Sequence, residues 1–251
     1  MYHHVMPFNS TLNVTPDVFE EQLIGLKTKG WKTLDGKEFL YLMEHSEEPR
    51  KKCLLITFDD GFIDNYIYAY PLLKKYKMKA LLFVATDFIT DLDIKRDNLA
   101  FTHKEMWKLA FSEKKHEVMC TWNELREMQY EGVFDIQSHG HTHKIPNFIE
   151  MADYEALKDD LNLGKELLIK NLGKEPLHLA WPKGVYDSKA EEIAKKLGFK
   201  ALYTTQRGAN IDDPFHIKRL AIKNKGKSWL NKKLIIYSSS LLSKIYYRIR
   251  V

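Results

Sequence analysis

Residues 51–66 read KKCLLITFDDGFIDNY, and in this stretch an apolar run ends in two adjacent acids. The run at residues 53–58 is short, continuous and apolar, which is typical of a fully buried parallel strand. Asp59 and Asp60 follow it directly, although burying a carboxylate is costly unless something positive lies beside it. Gly61 then permits a tight turn. The stretch predicts a buried strand with a charged site at its carboxyl end.

Strand-like and helix-like patterns alternate along the rest of the chain. Residues 87–121 are charged and irregular, which indicates a loop or a partly helical excursion. Repeated strand–helix–strand units with short links predict an α/β fold whose parallel sheet is open or closed into a barrel. Further strands are predicted at 80–86, 133–138, 177–182 and 201–205, and helices at 15–31, 66–78, 121–132, 151–173 and 189–199.

The polar motifs all follow predicted strands. Asp59 and Asp60 come after the first strand, a histidine cluster at 139–143 follows another, and Pro182–Gly184 follows a third. Parallel strands place their carboxyl ends together, which is where ligand sites of α/β folds lie. We therefore expect these three segments to meet in one site.

The histidine cluster SHGHTH has the residue types of a metal site. In a helical turn, His139 and His143 would share one face, whereas an extended chain would align them with His141 as well. Two histidines and one carboxylate form a ligand set that leaves positions open for water and substrate. One acid of TFDDG could then bind the ion while the other acts as a general base. The alternative is a solvated polar loop.

TFDDG has other interpretations when it is taken alone. It could belong to a receiver-type acidic pocket for magnesium or to a phosphatase-like site with an aspartate nucleophile. Both of these sites use oxygen ligands only and need no histidine cluster. A helix N-cap role for Asp60 is a further alternative, but it would not explain the pair of acids.

Composition narrows the classes of protein. The chain has 251 residues, of which 44% are hydrophobic, and a formal net charge of +5. That length is sufficient for one large core. The mildly basic charge comes without a recognition motif, so we predict no nucleic-acid partner. Cys53 and Cys120 lie in separate segments and form no disulfide framework, which favours a reducing compartment or simple packing.

Three motifs in order, TFDDG, S-H-x-x-x-H at 138–143 and W-P-x-G at 181–184, carry a family resemblance. The chain resembles the polysaccharide deacetylase (NodB-homology) family, carbohydrate esterase family four, and within it the poly-N-acetylglucosamine deacetylase-like subgroup. The resemblance implies a distorted (β/α) barrel of seven or eight mostly parallel strands over residues 1–228. It also implies a divalent metal, most commonly zinc with cobalt or nickel as alternatives. Such enzymes use a metal-activated water to remove N-acetyl groups from amino sugars of a glycan or, here, a lipid-linked saccharide.

The resemblance assigns roles to the first two motifs. Asp59 matches the catalytic base, and Asp60, His139 and His143 match the metal ligands. His141 lies between the two matching histidines and is not a ligand position in the family.

The third motif matches the turn that forms the substrate groove. It comprises Trp181, Pro182, Lys183 and Gly184, and the Lys183 N–H would help to hold the oxyanion. Lys183 stands where the subgroup commonly has tyrosine, so the substrate contacts at this position differ.

The general acid of many family members is a histidine in a late Leu-x-His motif, which this chain lacks. The subgroup places its acid histidine in an N-terminal Tyr-His-x-Val context, and Tyr2-His3-His4-Val5 matches that context. The resemblance therefore makes His3 the general acid, with His4 as the less favoured neighbour. A frayed terminus is the alternative for this segment.

Many family members also carry an arginine at the start of the third motif, and this chain does not. Arg219 could replace it by pairing with Asp59, or it could lie on the surface. Two other functions stay open. One is a different C–N hydrolase, acting on a non-sugar amide or a cyclic imide, and the other is a sugar- or lipid-binding pseudoenzyme.

The final segment, residues 229–251, mixes bulky apolar residues with lysines and arginines. It is predicted either to dock on the barrel as a last helix or to lie in a membrane interface as a basic amphipathic tail. The amino terminus has neither the charged nor the apolar region of a signal peptide. We expect a cytoplasmic protein, peripheral at the membrane in the second case, or an exported one if a leader precedes this sequence.

Overall fold

Five parallel strands, side by side in chain order, form the central sheet of the protein. The computed structural model describes residues 1–45, 52–92, 101–210 and 213–248. The expected α/β fold with parallel strands is confirmed. The strands of this sheet are β5 (Thr57–Phe58), β6 (Ala80–Val84), β7 (Phe134–Ser138), β8 (His178–Ala180) and β9 (Ala201–Tyr203).

Two further segments extend the sheet at its edges. Tyr2 forms a parallel bridge beside β5, and Ile217 forms one beside β9. The Ile222 N–H donates to the Met1 carbonyl at 3.0 Å, which joins the two edges. The curved wall thus consists of seven chain segments. Only five of them are ladder strands because the flanking segments make single bridges.

The apolar run at 53–58 is two strands and not the single strand predicted from the sequence. Its first part, β4 (Cys53–Leu54), pairs with β3 (Lys32–Thr33), and its second part is β5, which pairs with β6. The pairing partner changes between β4 and β5, so the run contributes one strand to each of two sheets. A third small sheet joins β1 (His4–Val5) to β2 (Asn13–Val14).

Two helices whose bounds the sequence analysis did not predict have clear start signals. Asp35 with Glu38 and Thr102 with Glu105 form capping boxes, in which each side chain bonds the other residue's backbone N–H. The helices are α1 (Pro16–Thr28), α2 (Gly36–Glu44), α3 (Tyr70–Tyr76), α4 (His103–Ala110), α5 (Trp122–Tyr130), α6 (Ile145–Glu150), α7 (Tyr154–Leu172), α8 (Ser188–Lys196), α9 (Lys227–Tyr237) and α10 (Ser240–Arg248). A π-helical turn, Asn65–Ala69, precedes α3.

The tail begins as a docked helix. In α9, Leu230 is buried, and the Lys227 Cβ lies so close to α1 that a Cβ on Gly25 would be 2.6 Å from it. Beyond α9, helix α10 leaves Leu241 and Ile245 exposed, so membrane contact through this end stays a prediction. Within the described part of the chain, no helix combines the length and apolar composition needed to cross a membrane.

Replacing Gly25 with Ala tests the docking of α9. The added methyl group overpacks the contact with Lys227, and we expect it to lower the free energy of unfolding by about 1–3 kcal/mol. This loss exceeds the gain in helix propensity of at most about 1 kcal/mol. Urea denaturation measures the difference, with Ile24→Ala on the exposed face of α1 as the control. An unchanged or higher stability of Gly25→Ala would show that α9 does not pack there.

Candidate metal and catalytic site

The three predicted segments meet where their strands end. Asp59 and Asp60 follow β5, His139 follows β7, and the turn Pro182–Gly184 follows β8. His139 connects two of the segments, because its Nδ1 lies 2.7 Å from the Ala180 carbonyl oxygen at the end of β8. The strand order of the sheet therefore builds the site, as the sequence pattern predicted.

Asp59 forms a buried two-point ion pair with Arg219. The Arg219 Nη1 and Nη2 atoms donate to the two carboxylate oxygens at 2.6 and 2.9 Å, and its Nε donates to the Thr204 carbonyl oxygen at 3.0 Å. Both side chains are almost fully buried. The structure thus brings Arg219 to Asp59, far from the surface. Removing one partner of such a pair would leave an unpaired buried charge, at a cost of about 3–5 kcal/mol.

The charges around Asp59 keep it ionised. Burial alone would raise the pKa of this carboxyl, but the positive charge of Arg219 and the nearby imidazoles of His139 and His3 outweigh burial. The net result is a pKa below the usual range of an aspartate. Asp59 is therefore a carboxylate at neutral pH and can accept a proton.

Asp60, His139 and His143 form the group that could hold a metal ion. One ligand atom from each lies within 4.8 Å of the others. The Nε2 atoms of His139 and His143 are 3.4 and 3.5 Å from Asp60 Oδ1. Burial disfavours the charge on Asp60, but its contacts with the two imidazoles hold the pKa of the carboxyl well below its usual value. An ionised oxygen faces two imidazole nitrogens, which is a donor set that suits zinc.

The orientation of His139 fits metal binding. In the neutral imidazole, Nδ1–H donates to the Ala180 carbonyl oxygen, so Nε2 carries a lone pair that a metal ion could accept. His143 is held from its other side by Trp107, whose ring centroid lies 4.6 Å away. The two ligand rings are therefore fixed by the surrounding chain before any ion binds.

The site concentrates backbone strain. Asp60, His143 and Lys183 have φ angles of +79°, +61° and +56°, in the left-handed region that non-glycine residues rarely adopt. They are three of the seven such residues in the described part of the chain. Each unusual conformation costs on the order of 1–3 kcal/mol and persists only because its surroundings enforce it. The rest of the fold stabilises this arrangement.

Asp160 on α7 holds the loop that presents the histidines. Its carboxylate accepts from the backbone N–H groups of His141 and Thr142 at 2.8 and 2.9 Å. The His141 ring turns away from the metal ligands and bonds Thr86 Oγ1 through Nδ1 at 2.9 Å. His141 is thus outside the ligand group, as its position in the family motif implies. Sequence reasoning missed Asp160, since nothing in the helix pattern marks it.

The W-P-x-G turn forms another wall of the site. Trp181 is fully buried, its ring stacks on Tyr186 at 5.8 Å, and its Nε1 has no hydrogen-bond partner among the described residues. No described group accepts from the Lys183 N–H, so this donor is available to a bound molecule. Gly184 has φ of +71°, and a Cβ there would collide with Thr205. The buried Pro182 completes the turn.

The two N-terminal histidines have different surroundings. His3 is half-buried and lies near both acids; burial lowers its pKa, and the charges of Asp60 and Asp59 oppose that shift. His4 is fully buried and bonded to Asp64 and His103, outside the metal group. Of the two, His3 is therefore the one placed to act on a molecule at the acids.

Helix α4 supplies two residues that the sequence reading did not assign. Trp107 packs on the candidate ligand His143, and His103 at the first position of the helix lies 6.1 Å from His3, measured between ring centroids. The sequence predicts a loop or a partly helical excursion over residues 87–121, and α4 agrees with the second of these. The sequence signal that could have found the helix is its capping box, Thr102 followed by Glu105.

The chain matches a known family. The polysaccharide deacetylase family model matches residues 46–202, which is more than half of the chain. The protein therefore belongs to the polysaccharide deacetylase family, hydrolases that act on amide C–N bonds. The resemblance inferred from the three sequence motifs is confirmed.

Individual relatives agree with this placement. The Bacillus subtilis (strain 168) protein named "Putative polysaccharide deacetylase YxkH" is 31% identical over 220 residues, which are 85% of this chain and 66% of that protein. The poly-beta-1,6-N-acetyl-D-glucosamine N-deacetylase of Staphylococcus aureus (strain MSSA476) is 29% identical over 233 residues, 88% of this chain and 71% of that one. The structure of Streptococcus pyogenes deacetylase PplD in complex with acetate aligns with a TM-score of 0.76 and 28% identity, over 93% of this chain and 95% of that one.

Replacing Asp160 with Asn tests how the histidine loop supports the ligands. The amide keeps one acceptor oxygen but turns an N–H₂ group toward a backbone donor, so the loop loses part of its anchor. We expect the affinity for zinc to fall about 10–100-fold, as for other residues that orient metal ligands. Competition with a chelator measures the affinity. The matched control is Asp159→Asn, one position away and exposed; equal affinities of the two variants would contradict the role of Asp160.

Proposed function

We propose that the protein removes N-acetyl groups from amino sugars of a glycan or lipid-linked saccharide, with a divalent ion at Asp60, His139 and His143. The observation that carries the proposal is the pairing of Asp59 with Arg219 directly beside this ligand set. Two adjacent acids thus have separate partners, which suits one ligand and one base. The S. aureus relative, named as a deacetylase of poly-β-1,6-N-acetyl-D-glucosamine, supports the substrate class.

We propose zinc as the ion, because one carboxylate and two imidazoles form a ligand set with positions left open. When bound, it would polarise the acetyl carbonyl and make water a better nucleophile near neutral pH.

The chain's own residues then move the protons. Asp59 accepts the proton that the attacking water loses as its oxygen bonds to the acetyl carbon. The Lys183 N–H donates to the oxygen that gains negative charge in the tetrahedral intermediate. His3 gives a proton to the sugar nitrogen as the C–N bond breaks. The products are acetic acid, which ionises to acetate in water, and a free amino sugar, and the proton gained by Asp59 balances the one lost by His3.

Arg219 has two roles in this proposal. Its charge keeps Asp59 ionised, and its two-point contact holds both oxygens of the carboxylate in place. It comes from the segment after β9 and not from the third motif, where many family members carry an arginine. In this proposal, Arg219 replaces the arginine of the third motif as the partner of the base.

Replacing Asp59 with Asn separates catalysis from metal binding. We expect acetate release from N-acetylglucosamine oligomers to fall about 10²–10⁴-fold, because the amide cannot accept the proton. Zinc affinity, measured by calorimetry, stays within a few-fold of wild type. Asp17→Asn on the exposed start of α1 is the control. The mechanism is wrong if Asp59→Asn retains its rate.

Replacing His3 with Ala tests the general acid through the leaving group. An amine needs a proton to depart, so we expect the rate on an N-acetylated sugar to fall about 10²–10⁴-fold. A nitrophenyl acetate has a leaving group that departs as an anion, so its hydrolysis should change little. Comparing the two substrates gives the result. Equal losses on both would mean that His3 does not act as the acid.

A further inference from the structure

A hydrogen-bonded chain of three side chains lies beside the metal site and takes no part in the steps above. His4 Nδ1 is 3.0 Å from Asp64 Oδ1, and His4 Nε2 is 2.8 Å from His103 Nδ1. Asp64 and His4 are fully buried, whereas His103 is half-buried. This hydrogen-bonded relay therefore runs from Asp64 in the protein interior to His103, which solvent can reach.

Neighbouring N–H groups hold Asp64, the inner end of this relay. Asp64 Oδ2 accepts from the Val5 N–H at 2.7 Å and from Asn65 Nδ2 at 3.1 Å. Only Oδ1 is left to face His4. A carboxylate has acceptors and no donor, so His4 must present Nδ1–H to it. When His4 is neutral, its lone pair then lies on Nε2.

This tautomer determines the next one. Since His4 Nε2 is an acceptor, His103 must donate to it from Nδ1, and the neutral His103 ring then carries its lone pair on Nε2. Burial is the main cause that lowers the pKa of His103 below its usual value, so the ring is neutral at pH 7. No group in the described part of the chain bonds to His103 Nε2. The relay ends in an unpaired acceptor.

The acceptor lies at the edge of the site. The His103 ring is edge-on to His3, with centroids 6.1 Å apart, and the charge of Asp60 also acts on it. One turn along α4, Trp107 packs on the metal ligand His143. His103 thus lies beside the candidate acid His3, on the helix that also packs on the candidate ligand His143.

We propose that His103 is a substrate-binding residue whose Nε2 accepts a hydrogen bond from a hydroxyl of the bound amino sugar. Asp64 and His4 are positioning residues that keep this nitrogen unprotonated. The inference rests on the proposed deacetylase function and adds a contact that selects for a sugar over a simple amide.

Kinetics on two substrates test the contact. We expect His103→Phe to raise KM for a β-1,6-linked N-acetylglucosamine oligomer about three- to tenfold, the value of one hydrogen bond, with kcat within about twofold. His103→Gln, whose amide oxygen can replace Nε2, should restore much of the loss. Nitrophenyl acetate has no hydroxyl group, so its KM should not change. His45→Phe, on the exposed end of α2, is the control.

The tautomer can be measured without any activity. In wild type, the imidazole ¹⁵N shifts should show His103 protonated at Nδ1 and bare at Nε2. In Asp64→Asn, the Val5 N–H keeps the amide oxygen, so the amide N–H₂ faces His4 and reverses both tautomers. We then expect His103 to become protonated at Nε2, with a KM as high as that of His103→Phe.

The outcomes separate the two proposals. A wild-type protein that releases no acetate from N-acetylated sugars overturns the proposed function. An active wild type whose KM is unaffected by His103→Phe overturns the substrate contact alone. A wild-type His103 protonated at Nε2 overturns the relay, and this measurement stands even if Asp64→Asn does not fold.

Discussion

The site depends on giving two adjacent buried carboxylates different partners. Asp59 and Asp60 leave the same strand, and their charges would repel in an apolar interior. Asp59 is compensated by Arg219, which arrives from beyond the last strand of the sheet. Asp60 faces two imidazoles that come from a different strand end. Each acid can take its role only because the barrel brings a distinct partner to it.

This constraint explains why the local backbone is strained. The positive φ of Asp60 re-aims the second acid immediately after the first, so that the two carboxylates point to different partners. His143, in the histidine loop, and Lys183, in the turn after β8, show the same left-handed conformation. Asp160 and the close approach of Gly140 to α7 hold the histidine loop in turn. Stability elsewhere in the fold offsets this local cost.

The sequence predicted those parts of the molecule that follow from local pattern. The strand ends at TFDDG, SHGHTH and W-P-x-G predicted where the candidate site lies, and the parallel sheet brings these segments together. The split of residues 53–58 into two strands was missed, because an apolar run does not show where a strand changes its partner. Asp160 and the Asp64–His4–His103 chain were missed since their contacts join residues that are far apart in sequence. Helix α4, in contrast, had a readable capping box.

The central claim is that the two acids have different partners, and a crystal structure of the protein soaked with zinc tests it most directly. Anomalous scattering would locate the ion. The account predicts one ion bound by Asp60, His139 and His143, with Asp59 still held by both nitrogens of Arg219. An ion that bridges Asp59 and Asp60, with Arg219 displaced, would contradict it.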